Sequence, residues 1–130
     1  MHRIILTLLL TAISSTAWAE WEEAGEDKLA TVYVDRASIT SGKKSDHMEM
    51  WHLLNYMTVQ SAAGTQYSSA RIHMAYDCKK MKLRNLGLTW HAEKMGAGNE
   101  VFSRTLFGEW RRPLPHSVDE ALLGIVCEKK

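Results

Sequence analysis

Two cysteines, a scatter of histidines and methionines, and one dense run of lysines are the parts of this sequence that could do chemistry. Cys78 and Cys127 stand 49 positions apart. No CxxC occurs, so the low-pKa thiolate of a thiol oxidoreductase is not expected. His47, His52, His73, His91 and His116, together with Met48, Met50 and Met74, offer imidazole and thioether groups of the kind that bind copper or haem iron. Their spacing argues against a dedicated metal site. His47 and His52 differ by an odd number on a presumed strand and so face opposite sides, while Met48 and Met50 read as two core-facing side chains. Lys79, Lys80, Lys82 and Arg84, interleaved with Met81 and Leu83, form the densest basic cluster. Held on a rigid turn, such a patch can bind sulfated glycans or acidic protein segments by an attraction that weakens with salt; the bland reading is a solvated turn. G-x-S-x-G, the P-loop and H-E-x-x-H are all missing, which removes the commonest hydrolase, nucleotide and zinc-protease signatures. No enzyme is expected, and no cofactor is required.

The compartment bears on the cysteines. Met1-His2-Arg3 is a short positive region, Ile4 to Ile13 is apolar except for Thr7 and Thr11, and Ala17-Trp18-Ala19 supplies an A-x-A site before Glu20. Residues 1–19 therefore read as a secretory signal cleaved after Ala19, too short in its apolar run to span a bilayer. Removing 19 of the 130 residues leaves a single domain, residues 20–130, and takes away Arg3 but no acid. The remaining side-chain charge is balanced, so the whole molecule has no field to attract nucleic acid. No cysteine follows the cleavage point to carry a lipid, and the expectation is a periplasmic or secreted protein with no membrane span. In an oxidising compartment the two cysteines most simply join as one disulfide, against the alternative of two buried free thiols.

The elements that must position these groups are mostly strands. Val32, Tyr33 and Val34 make a short β-branched and aromatic run, Ser41-Gly42-Lys43-Lys44 supplies a turn, and Met48 to Met57 follows. From Ser68 to Cys78 the even positions carry Ala70, Ile72, Met74 and Tyr76 while Arg71, His73 and Asp77 fall on the odd ones. That period of two is a half-buried strand with Cys78 toward the core. Leu83 to His91 and Val101 to Leu106 read as two more strands joined through Gly96-Ala97-Gly98-Asn99. Pro113 and Pro115 end the strand pattern, and Ser117-Val118-Asp119-Glu120 is a capping box. Val118, Ala121, Leu122, Ile125 and Val126 then form one helical stripe that only a sheet can cover. The expected fold is α+β: an antiparallel sheet of about six strands with one C-terminal helix packed on one face, tied by a Cys78–Cys127 disulfide. Met48 to Met57 carries bulk on both parities, with Trp51, Leu53 and Met57 opposite the core side. The second face is therefore expected to meet either a partner chain or the N-terminal strand folded over it.

Taken in order, Val32-Tyr33-Val34-Asp35 with Ser38-Ile39, Met50-Trp51 with Leu53 and Tyr56, Tyr67-Ser68-Ser69-Ala70, Tyr76-Asp77-Cys78 with Arg84, Trp110 with Pro115 and Ser117, and Cys127 resemble the surface-adhesin protein E family of exported bacterial proteins. The resemblance implies a six-stranded antiparallel sheet carrying a helix, and a non-enzymatic binding protein. It further implies contact with extracellular-matrix proteins, an association with haem, and dimerisation, so a homodimer is among the expectations. The family's lipid anchor is a departure, because this sequence lacks the cysteine for it. The leading expectation is thus an exported binding protein that contacts proteins or polyanions through the basic turn Lys79, Lys80, Lys82, Arg84 and an exposed sheet face. The alternative is a periplasmic haem- or metal-binding envelope protein, using a histidine such as His52 or His73.

Overall fold

The computed structural model describes residues 20–128; the segment 1–19, read above as an export signal, lies outside the described residues. Seven strands and one helix follow in the order β1 (Glu22–Glu26), β2 (Ala30–Val34), β3 (Thr40–Ser41), β4 (His47–Ala62), β5 (Thr65–Asp77), β6 (Lys82–His91), β7 (Glu100–Thr105) and α1 (Val118–Glu128). Every pairing is antiparallel, along the path β1-β2-β4-β5-β6-β7, with the two-residue β3 pairing beside β2's end of β4. The expected six strands are the meander plus an edge that the sequence marks weakly. Glu22-Glu23-Ala24-Gly25-Glu26 has little intrinsic β preference, and it pairs because β2 presents an otherwise open hydrogen-bonding edge.

β4 and β5 are longer than their hydrophobic patterns suggest. They run on to a tight turn at Ala63-Gly64, where Gly64 takes φ +81. A register shift between Asn55 and Gln60 bends β4 before that turn, which leaves Met57 and Val59 mostly exposed.

The core lies between α1 and one face of the sheet. Val32 and Val34, Met50, Met74 and Tyr76, and Leu83 meet Leu122, Leu123 and Val126 of the helix. These follow the alternation read from β5, and Cys78 lies on the same face, bonded to Cys127 with the two Cα atoms 5.4 Å apart. The helical stripe holds at Val118, Leu122, Ile125 and Val126, which all pack on the core, while Ala121 is exposed and Leu123 is buried instead.

Ser117 caps the helix. Its Oγ accepts from the Glu120 N–H at 3.2 Å and donates to the Leu114 carbonyl at 2.6 Å, while the Glu120 carboxylate reaches back to the His116 N–H at 3.3 Å. Ser117→Ala should lower stability by about 1 kcal/mol. A urea midpoint unchanged from wild type would show that the proline-rich approach alone sets the helix start.

Leu53 is fully buried yet stands apart from the helix-side core, so the opposite face is covered too. Within the chain the cover over Leu53 is not the N-terminal strand, which pairs at the edge, but a short turn, Lys94–Gly96, in the β6–β7 connection, with Met95 at φ 59. Asn55 Oδ1 accepts from Met95 N–H at 2.9 Å, Ser69 Oγ accepts from Gly96 N–H at 2.8 Å, and Lys94 Nζ donates to the Tyr56 carbonyl at 2.8 Å. Only part of this face is closed, and the rest carries the polar and aromatic groups described next.

Candidate functional site

The structure places the four predicted basic residues in different settings along the β5–β6 turn and β6. Asp77 Oδ1 accepts from the N–H groups of Lys79 and Lys80 at 3.1 and 2.9 Å, which curls the chain into a tight turn and turns both lysines outward. Lys82 opens β6 opposite Asp77, half-buried. Arg84 stands two residues further along the strand and leaves the group, with its guanidinium over the Trp110 ring, 5.0 Å from the centroid. Lys82 and Arg84, two residues apart on β6, share one side of the sheet, but the Arg84 guanidinium is engaged by Trp110.

The turn gains a lysine from elsewhere. The Cys78 N–H donates to the Asp46 carbonyl at 2.9 Å, clasping the β3–β4 loop to the β5–β6 turn. Lys44 then shares one surface depression of about 470 Å³ with Lys79 and Lys80. His47 Nε2 sits 3.3 Å from Asp77 Oδ2 beneath it. The Asp77 carboxyl is held below its ordinary pKa, first by the Lys80 backbone N–H and also by His47 and the Lys79 N–H, against the opposing effect of burial. A fixed anion thus holds the turn in shape while the lysines point to solvent.

The histidines are dispersed, as their spacing implies. His47 lies at the open-face end and His52 beneath the helix. His73 stacks on Trp51 with ring centroids 4.6 Å apart and bonds Glu49 Oε1 at 3.0 Å. His91 contacts Thr89 Oγ1 at 2.8 Å, and burial, followed by the charge of Arg71, lowers its pKa despite Glu100. Among the described residues no three of His, Cys, Asp or Glu converge on a point that could hold a metal ion.

Two hollows on the open face pair an arginine with a tryptophan. One, about 290 Å³, holds Arg84 and Trp110 beside His47 and Glu49. The other, about 310 Å³, is lined by Trp21, Trp51, Arg71 and His91, with Asp35 and Glu100 at its walls. In each case the arginine Nε is buried without a hydrogen-bond partner. Sequence reasoning placed Arg71 on the odd face of β5 through its alternation. It gave no sign that Trp21 or Trp110 would arrive there, since both come from segments outside that strand.

The model of the surface-adhesin protein E family matches residues 18–128. Solved structures of Haemophilus influenzae protein E share the fold: one is 13% identical with a TM-score of 0.68, covering 85% of this chain and 86% of that one. A crystal form II structure of the same protein gives 15% identity and a TM-score of 0.65 over 75% and 80% of the two chains. The protein E of non-typeable Haemophilus influenzae gives 13% and 0.65 over 88% and 79%. No curated protein is significantly similar in sequence.

Proposed function

Because this chain belongs to the surface-adhesin protein E family, we propose that it is an adhesin-like binding protein whose lysine turn engages an acidic protein segment or a sulfated glycan. The observation that carries this reading is the clasp between the two loops. It gathers Lys44, Lys79 and Lys80 around one depression, with their backbone fixed by Asp77 and Cys78 rather than by the lysines themselves. The cations are therefore free to serve a ligand, and the fixed backbone spares the cost of ordering the two loops when it binds. The balanced charge of the rest of the chain restricts the attraction to this local patch. Among the described residues no helix is long and apolar enough to cross a membrane.

Reversing Lys44, Lys79 and Lys80 to Glu should cut retention on immobilised heparin or matrix protein by about tenfold at physiological salt, because three attractions become repulsions. The melting temperature should stay within a few degrees, since exposed ion pairs contribute little to stability. Arg84→Ala should leave retention nearly intact, given its position over Trp110. Equal retention of the triple variant and wild type would remove the turn as the contact. Surface labelling of intact cells with a protease tests the display that adhesion requires.

A further inference from the structure

The 310 Å³ hollow lined by Trp21, Trp51, Arg71, His91, Asp35 and Glu100 contains charges of both signs that do not pair with one another. Among the described residues Arg71 meets no carboxylate. Its Nη2 donates only to the Gly96 carbonyl, at 3.3 Å, and its buried Nε has no partner. Glu100 likewise has no ion pair there. A guanidinium and a carboxylate in one small cavity would ordinarily collapse onto each other. Here Glu100 is exposed on β7 and Arg71 is held by Gly96, and no ion pair forms between them.

The holding device is specific to Arg71. Gly96 takes φ +70, and a Cβ at that position would lie 2.8 Å from Arg71 Nε, so only glycine lets the loop press against the guanidinium. Ser69, fully buried, fixes the loop from below by accepting from Gly96 N–H at 2.8 Å and donating to the Glu93 carbonyl at 2.6 Å. Trp21 covers the guanidinium from the other side, 5.8 Å from its ring centroid. A guanidinium held in place by the Gly96 loop, a separate unpaired carboxylate and two indoles make a site for a molecule that carries its own opposite charges and an apolar body.

We propose that this hollow binds a free α-amino acid with an apolar or aromatic side chain. The ligand carboxylate meets Arg71, its ammonium meets Glu100 and Asp35, and its side chain lies against Trp51 and Trp21. The volume stands at the small end of the range of about 300–1,000 Å³ for ligand pockets, which suits one amino acid rather than a peptide. This inference is independent of the lysine turn, which lies at the far end of β5.

Isothermal titration of the purified, disulfide-bonded protein with L-phenylalanine, N-acetyl-L-phenylalanine and L-phenylalaninamide tests it. Phenylalanine should bind saturably, and each blocked form should bind at least about tenfold more weakly, since each loses one charge contact. Glu100→Gln, at an exposed position, should cost a similar factor for phenylalanine while leaving the affinity for the acetylated form and the melting temperature unchanged. Arg71→Lys should weaken phenylalanine and N-acetyl-phenylalanine alike, because an ammonium cannot reproduce the guanidinium's two-pronged grip. Equal binding of phenylalanine and its acetylated form would overturn the proposal in favour of a carboxylate-only site. Absence of saturable heat with phenylalanine, leucine and tryptophan at millimolar concentration would overturn it altogether.

Discussion

Reduction of the Cys78–Cys127 disulfide should lower the stability of this protein by about 4 kcal/mol. Closing a loop of 49 residues removes that much conformational freedom from the unfolded chain on the entropic account of cross-links. For a domain of this size the loss corresponds to roughly 15 °C in melting temperature. The position of the bond adds a structural reason. α1 has 11 residues, a length at which an isolated helix is marginal in water, and it persists because Leu122, Leu123 and Val126 are buried on the sheet. With the tether cut, the helix is held only by that packing and by the Ser117 cap. Urea unfolding with and without reductant, and of the Cys78→Ala/Cys127→Ala double variant, measures the effect. Coincident transitions for oxidised and reduced protein would show that the bond constrains nothing the packing has not already fixed.

Mild acid should destabilise the protein through His52. The residue is 6% exposed, its Nδ1 is buried without a partner, and burial, with a smaller contribution from the charge of Arg111, pushes its pKa from 6.5 down to about 4. The folded form therefore binds fewer protons than the unfolded form between those two values. Its stability is full above about pH 6.5 and falls as the pH drops toward 4, by about 3 kcal/mol in all. The lowered pKa of His91 acts in the same direction. Asp77 behaves differently: its contribution is present above its unfolded value of 3.8 and is lost only as the pH falls through its lower folded value. His52→Leu removes the group that must charge, along with a buried polar atom that has no partner. The variant should therefore match wild type at pH 7 and exceed it by about 3 kcal/mol near pH 4, as read by urea midpoints across that range. Parallel pH profiles for the two proteins would assign the acid sensitivity elsewhere.

Much of the architecture is legible because it is local. The alternation from Ser68 to Cys78 places Met74 and Tyr76 in the core and Arg71 and His73 on the other face, as the structure has them. The capping box and the two prolines mark the start of the helix, and the strand–helix disulfide follows from two cysteines and an oxidising compartment. The helical stripe is legible at Val118, Leu122, Ile125 and Val126, and only its packing on the sheet shows that Leu123 rather than Ala121 completes it. β1 was weakly marked because its pairing depends on the free edge of β2 rather than on its own side chains.

The candidate sites were less legible, for a physical reason. A run such as Lys79, Lys80, Lys82 and Arg84 is read along the chain, whereas a binding surface is assembled across it. The β5–β6 turn keeps Lys79 and Lys80 and imports Lys44 through the Cys78–Asp46 hydrogen bond, while the strand carries Arg84 away to Trp110. The second face likewise finds its cover in the Lys94–Gly96 turn, anchored to Asn55 and Ser69 by bonds that span 40 and 27 positions. By itself the sequence determined what recurs at fixed short intervals: strand faces, the capped helix and the chemistry available to the cysteines. Only the tertiary structure decided which charges share a cavity and which lysines share a rim, because those neighbours are chosen by sheet register and loop closure between residues far apart in the chain.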